Sequence, residues 1–277
     1  MGLNAKLFRA FLYIILILGA AASLFPFFWL IRSSFMNTAQ IFQLPPIWIP
    51  NPFEFRNYLE PFTILPFSRY YINTAVIVLF VVIGVVMSSA LSAYSFSRLK
   101  WRNRNLVFSI ILSSMMLPYA VTMIPTFVGW QKLGLVGTFL PLILPAYFGG
   151  GAFNIFLLRQ FFLSIPKEMD EAAYTDGAGK LLIFFKVILP LAKSALIVVA
   201  LFTFINAWND FLGPLIYLNN EKDFTLALGL FQFRGMYSAQ WNLLMAASTL
   251  VVLPIIIVFI LGQKYIIEGI TLTGLKV

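Results

Sequence analysis

Residues 171–180 read EAAYTDGAGK, and their glycines and lysine are the residue types of a phosphate-binding loop. Such a loop needs Gly at 174 and a hydroxyl at 181, so that backbone N–H groups wrap the phosphates and the hydroxyl reaches magnesium. Tyr174 and Leu181 stand there instead, and the preceding FFLSIPKEMDEAAY has the pattern of a helix rather than a buried strand. The stretch is not a nucleotide site. Cysteine and histidine are both absent, which removes disulfides, thiolate or imidazole metal sites, and every scheme that needs a Cys or His nucleophile or base. Carboxylate metal sites and Ser, Lys or Asp chemistry remain open, but no spacing points to a Ser and Lys pair.

Read as the connection between two apolar helices, the same stretch has a mechanical use. Ser164 is placed to cap a short helix that Pro166 helps to start, with Glu168, Asp170 and Glu171 in the early turns, where carboxylates suit the positive end of the helix dipole. Ala172 and Ala173 leave a low surface, and Gly177, Ala178 and Gly179 allow a turn. This is a shape for docking on a partner, and a plain solvated loop accounts for the same residues equally well. A second group of polar residues, Asn154, Thr203, Asn206, Trp208, Asn209 and Asp210, falls within or at the edge of apolar segments, where polar groups are costly and face a cavity or another helix. Amide, carboxylate and aromatic groups together suit a sugar. Trp208 serves equally as an interfacial anchor and Asn206 as a helix-to-helix hydrogen bond.

The elements that must position these residues are set by hydropathy. The chain has 277 residues, of which 61% are hydrophobic and 10% charged, and its mean hydropathy is +0.91. That composition predicts an all-α polytopic membrane protein rather than a soluble domain. A spanning helix takes about 20 apolar residues, and six segments qualify, near 11–31, 72–97, 106–130, 138–160, 191–217 and 243–264. The fifth has a short uncharged part, Ser194 to Asn209, which Lys193 can extend by keeping its ammonium among the headgroups. The first resembles a secretory signal up to the GAAAS at residues 19–23, but LFPFFWLI prolongs it into a full, uncleaved span. One integral-membrane domain over 1–277 is the simplest division. The proline-rich connection from Arg32 to Arg69 predicts an ordered cap with short helical pieces, and the long amphipathic stretch 219–241 is able to lie as a helix on the membrane surface with Phe224, Leu228, Phe231 and Phe233 in the interface.

The net charge of +9 lies between the apolar segments rather than along one soluble face, so it reads as topology and not as a nucleic-acid surface. The connection RLKWRNR carries Arg98, Lys100, Arg102 and Arg104 without an acid, which places it and both termini in the cytoplasm. On that topology 13 of the 19 Lys and Arg residues are inside, Lys6 and Lys276 among them.

The pattern EAA, three residues, Gly177, nine residues, Val187, one residue, then Leu189 and Pro190 resembles the EAA loop, here 164–190, of the membrane subunits of bacterial ABC importers. Val187 stands where that pattern has Ile, and Ser194 where a Pro is common. WIPNPFEFRNY, AYSFSRLKWRNR, MMLPYAVTMIPTF and WNDFLGPLIYL extend the resemblance over nearly the whole chain, toward the maltose-type, carbohydrate-uptake branch and its six-span permease. The resemblance implies a coupling helix between the fourth and fifth spans, with Glu171, Ala172, Ala173, Asp176 and Gly177 meeting an ATPase. Glu171 would pair with a basic group and the two alanines would pack in a cleft. It implies a bacterial cytoplasmic (inner) membrane location and, as partners, a second permease, two cytoplasmic ATPase subunits and an extracytoplasmic solute-binding protein. No catalysis and no cofactor are expected in this chain, with ATP and magnesium held by the ATPase. The C-terminal EGITLTGLKV also resembles that branch, whose tail can reach the ATPase. A secondary transporter is the alternative, but the spans hold almost no acid with which to bind a coupling ion.

Overall fold

In the computed structural model the backbone is described over residues 3–236 and 240–274, and side chains over 7–234 and 240–266. Every regular element among the described residues is helical. Ten helices carry the argument: α1 (Leu3–Ser34), α2 (Phe67–Ser97), α3 (Arg104–Ser113), α4 (Tyr119–Lys132), α5 (Ala152–Ser164), α6 (Glu168–Thr175), α7 (Lys180–Leu191), α8 (Lys193–Trp208), α9 (Leu226–Met236) and α10 (Trp241–Gly274). By length and composition four stretches could cross a membrane as they stand, 7–34, 67–97, 140–164 and 241–266. Two bent pairs, α3 with α4 and α7 with α8, bring the number to six. The all-α, six-segment reading therefore holds, and three segments are less straight than their hydropathy predicts.

The segment near 106–130 is not one helix. Pro118 has no N–H to continue α3 and drives Leu117 into an extended conformation (φ −78°, ψ 117°), so α4 leaves at 101° to α3. The segment near 138–160 runs on to Ser164 but is interrupted at Gly149, Gly150 and Gly151, all with positive φ. The fifth, near 191–217, stops at Trp208 and is followed by a separate short helix, Leu212–Tyr217. It also continues backwards: α7 meets α8 at 79° across Ala192, so the residues before Pro190 are helix and not loop. Pro190 cannot donate to the carbonyl four residues earlier and its ring crowds that carbonyl. The turn just before it, Phe184–Ile188, accordingly widens to a π-helix.

The described residues form two compact units. One comprises residues 1–67 and 229–253. Its connection after α1 is ordered by short helices at Thr38–Ile41, Phe55–Tyr58 and Glu60–Ile64, as the prolines predict. Buried Asn57 donates to the carbonyls of Ser34 (2.9 Å) and Met36 (2.8 Å), and accepts from Asn242 Nδ2 at 2.9 Å. The apolar window of α1 has no buried residue at all. Leu228 and Phe233 of α9 are buried while Phe231 is exposed, so α9 does not lie as a whole on an apolar interface. The tail after the last span is helical as far as Gly274, and its side chains, with those of Lys6 and Lys276, lie outside the described residues.

The other unit comprises residues 68–228 and 254–277. Its core packs Ala90, Ala93 and Tyr94 of α2 against Leu158, Phe161 and Phe162 of α5 and against Ile183, Phe184 and Ile188 of α7. Gly150 is held at the centre of this unit with φ +65°, where an added Cβ would fall 2.6 Å from the Val85 carbonyl and 2.7 Å from Ser89 Cβ. Gly134 also has positive φ (+70°) but faces open space. Gly150→Ala should therefore cost about 3 kcal/mol, overpacking and left-handed strain together, and Gly134→Ala about 1 kcal/mol from strain alone. Thermal unfolding of the two purified variants checks the difference.

Candidate functional site

Helix α6 has Glu168, Asp170 and Glu171 in its first turn, as its sequence predicts. Ser164 does not cap it. That residue ends α5, and its hydroxyl donates back to the Phe161 carbonyl at 2.7 Å, while Lys167 takes the cap position without a side-chain bond. The reason is the two intervening residues: Ile165 is extended and buried, so the chain turns only after Ser164 has been used. At the other end Gly177, at φ +82°, donates to the Tyr174 carbonyl (3.0 Å) and Ala178 to the Ala173 carbonyl (2.9 Å). This is a Schellman ending, in which a left-handed residue returns two amides to the last turn. No neighbour lies within 4 Å of a Cβ built on Gly177, so its backbone conformation and not crowding calls for glycine.

The faces of α6 are unlike. Glu171, Ala172, Asp176 and Gly177 are exposed. Ala173 is half-buried and packs with Ala178 on this chain's own core, so it does not share the open face with Ala172. Asp170 also turns inward and meets Arg98 at 3.1 Å, with side chains 14% and 5% exposed. Arg98 read in the sequence only as a topology charge; its place beside the helix was missed, and the signal available was an acid and a base 72 residues apart with nothing local to join them.

The second polar group is divided by the structure. Asn154, Thr203, Asn206 and Asp210 line one cavity of about 360 Å³, together with Thr74, Ile77, Val81 and Val85 of α2. That volume falls at the lower end of the range of about 300–1,000 Å³ usual for small-molecule sites. Asp210 Oδ1 accepts from the Gly213 amide at 3.1 Å and so also starts the helix after it. Asn154 Nδ2 donates to the Gly150 carbonyl at 2.8 Å across the glycine break. Trp208 and Asn209 are not part of the lining: Trp208 is 5% exposed, stacked on Phe204 (5.3 Å) and edge-on to Tyr71, and Asn209 donates to the Ile205 carbonyl at 2.8 Å. At 100° per residue, positions 203, 206 and 210 share one side of the chain and 208 does not. The cavity lining contains one acid and no Lys or Arg. No group of three or more acidic residues able to hold a metal occurs among the described residues.

Residues 81–271 match the family model of the binding-protein-dependent transport system inner membrane component. The chain belongs to this family. This membrane component is 31% identical over 262 residues to the diacetylchitobiose uptake system permease protein NgcG of Streptomyces coelicolor, covering 94% of this chain and 86% of that one. It is 32% identical over 277 residues to the sn-glycerol-3-phosphate transport system permease protein UgpE of Yersinia pestis, covering 96% and 97%. Among solved structures it resembles a chain of a bacterial ABC transporter involved in the import of the acidic polysaccharide alginate, with a TM-score of 0.82, 27% identity and coverage of 96% and 98%. It is a multi-pass inner-membrane permease subunit of the binding-protein-dependent type, and its relatives' names favour that reading over a secondary transporter.

Neighbouring acids on α6 face opposite ways, which gives a direct test. Glu171→Lys should lower the thermal midpoint of the purified protein only slightly, because an exposed side chain is exchanged and only the helix-end interaction of about 0.5 kcal/mol is lost. Asp170→Ala should destabilise by about 3 kcal/mol, because it strands the buried Arg98 charge. Melting curves of the two variants measure both.

Proposed function

We propose that this permease carries a neutral oligosaccharide, or a related small polyol, into the cell, driven by an ATPase that docks on α6. The observation that carries the reading is the open face of α6, where Glu171, Ala172 and Asp176 stand exposed between two well-fixed ends. A rigid, acid-flanked helix of this kind suits a cleft edged with basic groups. ATP-driven closure of the ATPase pair would displace the helix, and the spans joined to it would rock between outward and inward openings. ATP and magnesium belong to the ATPase, and this chain contributes movement rather than chemistry. Both termini and α6 lie in the cytoplasm in this reading, supported by the excess of Lys and Arg in the connections on that side. A second permease completes the pathway and an external binding protein delivers the solute.

The solute class is argued from the cavity. Asn154, Asn206 and Thr203 offer amides and a hydroxyl for sugar hydroxyls, and Ile77, Val81 and Leu142 offer apolar wall for C–H faces. A phosphorylated solute would meet the Asp210 carboxylate with no Lys or Arg in the lining to offset it. The neutral class is therefore favoured over glycerol phosphate and acidic polysaccharides.

Two outcomes test the reading. The tagged chain, gently solubilised from its host, should bring down a second polytopic permease and an ATPase, and Glu171→Lys should lose the ATPase while keeping the permease. Mass spectrometry of the purified complex decides, and an active complex without an ATPase would overturn the coupling. Asn206→Leu should lower uptake of the neutral sugar by about tenfold, the loss of one hydrogen-bonding group from the cavity wall, with ATPase recovery unchanged.

A further inference from the structure

Arg98 follows the last residue of α2, and its guanidinium reaches three places. Nη1 meets Asp170 Oδ2 at 3.1 Å. Nη2 donates to the carbonyls of Phe162 (2.5 Å) and Ile165 (2.6 Å). Phe162 is in the last turn of α5, Ile165 is the residue after that helix, and Asp170 is in the first turn of α6. One buried side chain thus joins the end of α2, the end of α5 and the start of α6. Tyr94, one turn earlier on α2, donates to the Lys180 carbonyl at 3.0 Å and fixes the start of α7 in the same way.

We propose that Arg98 is a positioning residue that makes α6 move as one body with α2 and α5, so that displacement received by α6 reaches the walls of the cavity. The inference rests on α6 being the ATPase-docking helix. Three observations carry it. Helix α6 has only eight residues and is followed by a glycine turn, and of its residues it is the small Ala173, with Ala178 just past the turn, that packs on this core, so packing alone holds it weakly. Both helices that Arg98 grips also line the cavity, α2 through Thr74, Ile77, Val81 and Val85 and α5 through Asn154, opposite the lining residues of α8. The grip also depends on the spread of a planar fork: Nη1 reaches the carboxylate while Nη2 serves both carbonyls, whereas the three N–H groups of a lysine ammonium radiate from one nitrogen on a different stem and do not reproduce that spacing.

The test uses the complex purified with its ATPase and binding protein. The chain has no cysteine, so Lys100→Cys with Met169→Cys gives a defined spin-label pair on exposed positions either side of the Arg98 contact, once partner cysteines are replaced. In the wild-type background the distance between labels should stay within about 1 Å, the scale of ordinary thermal displacement, between nucleotide-free and ATP-trapped states. Arg98→Lys and Asp170→Asn should broaden that distance distribution and raise the ATP hydrolysed per solute transported by about tenfold, a usual size for coupling between sites. A purely structural role would instead lower the yield of complex and leave the ATP-to-solute ratio of surviving complexes unchanged. The proposal is overturned by a wild-type distance that shifts more than about 2 Å between states, the size of helix shifts in switching transitions. It is overturned equally if the variants keep both the distribution and the ratio. Purification of the wild type without an ATPase would remove the docking reading itself, a result distinct from either.

Discussion

Hydrocarbon offers backbone amides and carbonyls no water, so a helix that breaks inside a membrane must find other partners for the groups it frees. This chain breaks its apolar segments repeatedly, and polar side chains appear at the breaks. Ser88 Oγ donates to the Ala146 carbonyl at 2.7 Å, beside the Gly149–Gly151 interruption, and Asn154 satisfies the Gly150 carbonyl from the other side. Asp210 accepts the Gly213 amide where α8 gives way to the next short helix. Ser113 and Ser114 return their hydroxyls to α3 carbonyls just before the Pro118 bend. Part of the polarity within the apolar segments is therefore the requirement of irregular backbone. Asn154 and Asp210 meet that requirement and line the cavity as well.

This dual use explains what could be read from the sequence and what could not. The apolar segments were legible because hydropathy over 20 residues is a sum, insensitive to a bend within it. The bends were not: Pro118 and Gly149–Gly151 were visible as residues, but prolines also occur inside the continuous helices α1 and α10, at Pro26 and Pro254. A proline breaks a span only where the surrounding packing accepts the new direction. The acids opening α6 and the glycine closing it were legible because both obey local rules. Ser164 misled because the same rules are satisfied by its back-bond into α5, and local sequence does not say which helix claims it.

The polar cluster was legible in part for a related reason. Asn154, Thr203, Asn206 and Asp210 meet in one cavity although 49 residues separate the first two in sequence. Trp208 lies on another side of α8 and is packed among aromatic rings. Residue type alone favoured its inclusion; helical phase excludes it from the lining. Arg98 shows the limit most clearly. Its charge has an evident meaning as part of a basic connection, and that meaning conceals a buried contact that depends on the fold bringing α2 and α5 together.

The junction at Ala192 converts length into angle. Helix α7 is twelve residues long, or about 18 Å at the ordinary rise per residue, and it meets α8 at 79° with Ala192 fully buried at the corner. Its outer tip is tied to α2 through Tyr94, so α7 can turn only together with α2 and α5. About 3 Å of shared travel at that tip, next to the Gly177 turn, corresponds to about 10° of rotation at the corner, by the same length estimate. Because α8 carries Thr203 and Asn206, such a rotation would re-aim the polar groups of the cavity without stretching any part of the chain.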